Sequence, residues 1–352
     1  MNHSSTSILP GPYIQIILIA AAIPIMFLLN LAFGSVDIPF SEITKSLAGM
    51  DVEESAWSMI VMKSRLPQAF TACLAGSGLA VGGLMMQTLF RNPLAGPSIL
   101  GISSGASLGV AFVMMFVGGI QVQAIQEVGA FSNLATILAA IIGAVATLFL
   151  ILFFARKIKN NAMLLIIGIM IGYVTSALVD ILKYYSTSEY VHSYAMWGLG
   201  SFSNVVWPQL EIFIPVVLLG LALSFLLMKP LNILLLGENY AANLGINVAR
   251  VRFYIILATG LLTAVITAFC GPIVFLGLAV PHITKMLFRT SNHKYLIPGV
   301  ILIGILLALV CNFIARLPGF DSALPINVVT SIFGAPIVIS VILKQRKLQL
   351  SI

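Results

Sequence analysis

Few side chains in this 352-residue sequence can do chemistry, and their spacing suits binding and movement more than bond making. Asp180 and Lys183 stand three apart, which pairs them on one helix face. His192, Tyr194 and Met196 are residue types that ligate haem iron. An interfacial aromatic belt with Trp197 and Trp207 explains the same polar and aromatic run, and is the preferred reading. Cys73, Cys270 and Cys311 lie in or beside apolar runs at no metal or redox spacing, so they read as buried thiols and no metal site is expected. His282, after Pro281, suits a buried hydrogen bond or helix packing better than a metal. No GxxxxGK[ST] phosphate loop and no HExxH helix occurs. Paired intramembrane acids and a nucleophile–base set are also missing, which speaks against a membrane-embedded enzyme. An ion-coupled secondary transporter would need acids in mid-membrane, and the sequence offers only Asp180, near the end of an apolar run.

The elements that hold these residues are solvated by lipid. Hydrophobic residues make up 60% of the chain and charged ones 8%, with a mean hydropathy of +1.08, against roughly 25% charged in soluble domains. No polar block is long enough for a soluble unit, so residues 1–352 read as a single all-α integral membrane domain. A membrane-crossing helix needs about 20 apolar residues. Such runs fall at roughly 13–33, 66–90, 98–118, 131–154, 162–186, 208–228, 251–270, 273–290, 295–315 and 325–343, about ten transmembrane helices. The stretch MNHSSTSILPGPY before the first has no basic n-region and no cleavage site, so 13–33 reads as a retained span rather than a signal peptide.

Ten spans place both termini on one side. If that side is the cytoplasm, 13 of the 18 basic residues lie inside, the others being Lys45, Lys63, Arg65, Lys183 and Arg316, and of the 11 acidic residues only Glu238 joins them. Basic residues collect on the cytoplasmic side of membrane proteins, so a cytoplasmic location of both termini is expected. The formal charge of +7 therefore reflects orientation and not nucleic-acid binding.

Two stretches interrupt the apolar pattern. RNPLAGPSILGISSGA at 91–106 is an inner turn in which Pro93 and Pro97 remove donors and Gly96 permits a reversal. Ser98 is a possible cap for the next helix, and Gly101, Gly105 and Gly109 give that helix a small-residue face for close packing. AFCGPIVFLGLAVPHITK at 268–285 repeats the helix–Gly/Pro–helix pattern on the outer side. Irregular backbone at membrane depth survives only where protein or a water-filled cavity covers it, so an inverted internal repeat around a transport path is expected.

The first of these stretches resembles the Asn-Pro-Leu-Ala…Leu-Gly…Gly-Ala signature of the FecCD-type permeases of ATP-binding-cassette (ABC) importers, which carry iron siderophores, haem or cobalamin. RLP at 65–67, GSGLAVGGLMMQ at 76–87, LGENYAANLGI at 236–246, GPIVFLGLAVPHI at 271–283 and the LP…VTSIFGAP run at 324–336 extend the likeness over nearly the whole chain. The resemblance implies a transport subunit, not an enzyme, working as a homodimer in the bacterial cytoplasmic (inner) membrane. Its implied partners are two cytoplasmic ATPase subunits, which hold the ATP and Mg, and an extracytoplasmic binding protein; this chain itself has no cofactor. Asn92 and Leu94 match the cytoplasmic gate; Asn160 and Asn161, in the inner loop RKIKNN at 156–161, match no strict motif and are expected as its opposing lip. In LGENYAANLGI, Gly237 and Gly245 bracket a short polar helix, and Arg250 and Arg252 anchor the following span; Gly237, Glu238, Ala242 and Gly245 match the element that couples to the ATPase. Arg65 and Arg316 match docking residues for the binding protein, joined by Gln68 where the family often has a second arginine. Asn312 stands where an aspartate is frequent, and Thr284-Lys285 replaces a small residue and an arginine. Ferric siderophore or haem is the expected cargo, with cobalamin as the alternative; an ion-coupled secondary transporter is the alternative of another class.

Overall fold

The structure is a computed structural model that describes residues 12–34, 36–50, 54–117, 129–158, 160–317 and 323–349. Lys159, in the expected opposing lip, lies outside them. The described residues form helices with no strand. Fifteen α-helices follow in chain order: α1 (Pro12–Ala32), α2 (Phe40–Leu47), α3 (Ser55–Ile60), α4 (Leu66–Leu89), α5 (Ile102–Ala111), α6 (Gly129–Lys157), α7 (Asn161–Tyr184) and α8 (Ser188–Gly198). After these come α9 (Trp207–Leu226), α10 (Met228–Leu234), α11 (Glu238–Asn243), α12 (Val248–Cys270), α13 (Leu276–Phe288), α14 (His293–Ala315) and α15 (Ile326–Gln349). Seven helical segments among the described residues are long and apolar enough to cross a membrane, and three shorter apolar helices accompany them. One segment runs from Ser55 through a wide π-type turn at Val61–Arg65 into α4. The short helices α2, α8 and α10 were not legible as apolar runs because none is long enough to span.

Helix α4 lies at the centre, buried along most of its length. Its glycines make that possible. A Cβ added at Gly76 would lie 2.3 Å from the Gly304 carbonyl oxygen on α14, and one at Gly83 would lie 1.7 Å from the Gly277 oxygen on α13. Lipid supplies no hydrophobic drive between helices, so such close backbone approach carries the packing. The expected face on α5 behaves likewise: a Cβ at Gly105 would lie 2.0 Å from Thr147 Oγ1, and one at Gly109 2.1 Å from the Ala139 oxygen, both on α6.

The pattern of neighbours repeats. Helix α4 packs on α14 as α12 packs on α6, and α5 packs on α6 and α7 as α13 packs on α14 and α15. Replacing spans two to five by seven to ten preserves these pairings, as an internal repeat requires.

At one end of the bundle gather Arg91, Arg156, Lys157, Arg250, Arg252, Arg289 and Lys294, at or near helix termini; this end is called the basic face below. Gly83→Ala is expected to cost about 3 kcal/mol or more, the upper range for overpacking, because backbone must move. Gly198→Ala meets nothing within 4 Å and should leave the melting temperature in detergent unchanged or slightly raised. Equal melting temperatures for the two variants would refute this packing account.

Candidate functional site

The first irregular stretch lies at the basic face. Helix α4 ends at Leu89, and Arg91 takes a left-handed conformation with φ 48° to start the turn. Asn92 Oδ1 accepts from the Leu94 amide at 2.9 Å and the Asn92 carbonyl accepts from Ala95 at 3.1 Å, a local turn built by an Asn side chain. His282 on α13 donates from Nε2 to the Pro93 carbonyl at 2.8 Å. A carbonyl can only accept, so that ring nitrogen carries the proton. The buried hydrogen bond expected of His282 thus fastens the turn to the second half of the chain. Leu94, 42% exposed, projects from it. The next helix is not capped by Ser98; a 3-10 turn at Pro97–Leu100 leads to Gly101, whose φ of 74° starts α5.

The two asparagines of the opposing lip have different work. Asn160 caps α7, its Oδ1 accepting from Ala162 at 2.8 Å. Asn161 bridges: its Nδ2 donates to the Leu89 carbonyl at 2.8 Å and to Glu238 Oε1 at 2.7 Å. Glu238 opens α11 and is paired with Arg252 of α12, whose Nη2 lies 3.0 Å from Oε1. Arg252 Nη1 donates to the Ile158 carbonyl just beyond α6 at 2.8 Å. Residues expected separately at the gate and at the coupling element are therefore bonded to one another. Arg252, read from sequence only as an anchor, completes the cluster. It was missed because nothing in the chain signals a partner 14 residues earlier.

Gly237 and Gly245 bracket α11 as expected, with φ of 112° and 82° that favour glycine. Ala241 is buried, Ala242 is exposed, and Leu236, Tyr240 and Leu244 stand 62%, 52% and 56% exposed. Tyr240 on α11 and Leu236 and Leu244 just outside it make an exposed apolar patch at the basic face.

At the opposite face the three residues matched to docking behave unlike one another. Arg65 is buried, 1% exposed, and donates to the carbonyls of Leu31 at 2.7 Å, Ala32 at 2.8 Å and Val36. It caps the unpaired carbonyls that end α1. Gln68 is buried too, and donates to Asn312 Oδ1 at 2.9 Å, while Asn312 donates to Asn30 Oδ1 at 2.8 Å. Arg316 is only half-buried and lies beside Arg65: a Cβ on Gly34 would fall 2.8 Å from Arg316 Nη2 and 3.0 Å from Arg65 Nη2. Burial and the Arg65 charge push its guanidinium down to about 10, so it remains charged at neutral pH.

Nearby is a cavity of about 510 Å³ lined by His192, Met196, Trp197, Ser201, Asn204 and Gln209 among others. Of the three haem-ligand candidates, His192 and Met196 line it. Tyr194 packs on Ala111, Met115 and Val179 instead, and burial pushes its phenol up. Asp180 and Lys183 do pair, at 3.1 Å, with both side chains well exposed. The second irregular stretch, 271–275, adjoins this cavity. Asn327 on α15 donates to the carbonyls of Pro272 at 2.7 Å and Gly198 at 3.2 Å, and accepts from the Val274 amide at 3.1 Å. Sequence reasoning passed over Asn327; a lone amide opening an apolar span after Pro325 was the available signal.

The FecCD transport family matches residues 22–344. The chain belongs to the FecCD transport family. It is similar to the vitamin B12 import system permease protein BtuC of Citrobacter koseri, 36% identical over 82% of this chain and 84% of the relative. The protein of the same name from Klebsiella pneumoniae is also 36% identical, over 82% and 83%. A solved structure described as an inward-facing metal-chelate type ABC transporter superposes with a TM-score of 0.80 at 29% identity, covering 94% of this chain and 99% of that one. PsaBC from Streptococcus pneumoniae shares the fold at a TM-score of 0.56 and 18% identity. The chain is a membrane-spanning permease subunit of the ABC importer type.

Gln68 and Asn312, the two positions expected to depart from the family pattern, touch. An arginine and an aspartate at these places would form a charge pair; here two neutral amides replace it. Gln68→Arg alone buries an unpaired charge and is expected to cost about 3–5 kcal/mol. Adding Asn312→Asp should recover most of that loss. A thermal-unfolding double-mutant cycle in detergent tests this, and additive losses would show that the two positions are independent.

Proposed function

We propose that this permease carries a metal chelate, ferric siderophore or haem, across the bacterial cytoplasmic membrane. It works as a homodimer, receives cargo from an extracytoplasmic binding protein, and is driven by two ATPase subunits that hold the ATP and Mg. The observation that carries the reading is the exposed apolar patch of Leu236, Tyr240 and Leu244 on and just beside α11, at the basic face and bonded through Glu238 to the gate helix α7. An exposed apolar patch with a polar rim marks a partner site, and the positive-inside rule puts this face, with both termini, in the cytoplasm. Asn92 and Leu94 then form the inner constriction. Arg316 is the base left for a binding-protein carboxylate, with Arg65 holding the loop beneath it.

Cargo would enter at the opposite face through the cavity beside Asn327. Its lining of amides, hydroxyls, His192 and Met196 suits a bulky chelate held by its periphery. The names of the curated relatives favour cobalamin as the second reading. Ion coupling finds little support, since the Asp180–Lys183 pair lies at the bundle's end and is exposed.

Cells lacking the gene are expected to lose ATP-dependent uptake of one labelled chelate among ferric siderophores, haem and cobalamin, and to regain it on complementation. Tyr240→Asp with Leu244→Asp should reach the membrane normally yet lower uptake at least about tenfold, as loss of an interface hot spot does. Unchanged uptake of all three cargoes in the deletion strain would remove the reading.

A further inference from the structure

Five elements meet where Glu238 sits. The α11 carboxylate accepts from Arg252 of α12 and from Asn161 at the start of α7. The second nitrogen of the Arg252 fork ends on the Ile158 carbonyl after α6, and the second Asn161 hydrogen ends on the Leu89 carbonyl of α4. Leu89 is the last residue of α4 and Ile158 directly follows the last residue of α6, where no intrahelical donor remains and the helix dipole is negative. Arg252 is 3% exposed, so its charge is committed to this cluster. The Asn161 amide cannot be turned over, because both groups facing its nitrogen are acceptors only.

We infer that Arg252 and Asn161 are positioning residues that transmit displacement of α11 to the gate turn. This rests on the proposed reading of α11 as the ATPase-facing element. The geometry is that of a short linkage. Glu238 moves with the exposed α11, and Leu89 is the last helical residue before Arg91, Asn92 and Leu94. The bonds from Glu238 through Asn161 to Leu89 measure 2.7 and 2.8 Å, and such bonds are lost by roughly 3.5 Å. A shift of α11 by about an ångström must therefore either carry the ends of α7 and α4 along or break the cluster. Asn161 Oδ1 is buried and has no partner among the described residues. On the far side of the turn His282 holds Pro93 to α13, so motion entering through Leu89 pivots the turn against a fixed point.

The test uses the permease–ATPase complex in lipid vesicles, with a thiol reporter placed at the gate by Leu94→Cys. The rate at which a maleimide labels it, above that of the chain without the reporter, is read with and without ATP. In the starting complex the rate follows ATP. With Arg252→Met, hydrolysis should stay within about twofold while the rate stops following ATP and transport drops about tenfold, inside the 5–150-fold range typical of coupling between sites. Asn161→Ala, which leaves the ion pair in place, should do the same, and covers the case in which Arg252→Met fails to assemble. Arg252→Lys keeps the charge without the fork and should recover part of the coupling. A merely structural role would lower hydrolysis, transport and assembly in step, and that outcome overturns the inference. So does a reporter that still follows ATP in both variants. If the starting complex neither assembles with an ATPase nor changes its labelling with ATP, the importer reading of α11 fails first and the linkage with it.

Discussion

Hydrocarbon offers no hydrogen bonds, so a chain that breaks its helices inside a bilayer must supply a partner for each backbone group it frees. Among the described residues the apolar helices break at 90–101 and again at 271–275, and side chains from distant helices meet the demand. His282 reaches the Pro93 carbonyl from α13, and Asn327 reaches Pro272, Gly198 and Val274 from α15. Each staple comes from the helix that packs beside the break. The same demand at helix ends accounts for Arg65, whose guanidinium closes the end of α1, and for Arg252 and Asn161, which close α6 and α4. Charged and amide groups in this molecule are placed largely by carbonyls in need of donors.

The second constraint is distance. Side chains can reach across to these carbonyls only because the helices lie unusually close, and they lie close because glycine faces glycine. Gly76 meets Gly304 and Gly83 meets Gly277 with no room for a methyl group. Those contacts set α4 against α13 and α14, which in turn brings His282 and the turn after Leu89 into register. Packing and polar satisfaction are therefore one design here. Loosening the glycine seam would strand the staples.

Much of this was legible in the residues. The apolar runs gave the membrane class, the Gly/Pro clusters marked both breaks, and the four-residue glycine spacing on α5 foretold its close packing on α6. Gly237 and Gly245 correctly framed a short helix. What could not be read were pairings across large gaps in sequence. Nothing local tells Gln68 that Asn312 lies opposite, or Glu238 that both Arg252 and Asn161 will share it. Arg65 illustrates the opposite error. A lone arginine before a span looks like a surface charge, because sequence does not show that three carbonyls will converge on it. The short helices α8 and α10 were hidden for a simpler reason: periodicity over seven to eleven residues is too weak to separate a helix from a loop.

The repeated neighbour pattern carries a historical meaning. The two halves keep the same partners, α4 with α14 and α12 with α6, while the sequence likeness between them is slight. If both halves come from one duplicated segment, its copies now thread the bilayer in opposite directions, so the ancestor tolerated insertion either way. A segment of that kind can carry no strong bias of basic residues at one end. The concentration of arginine and lysine at a single face would then postdate the duplication, fixing an orientation that the ancestral gene left open.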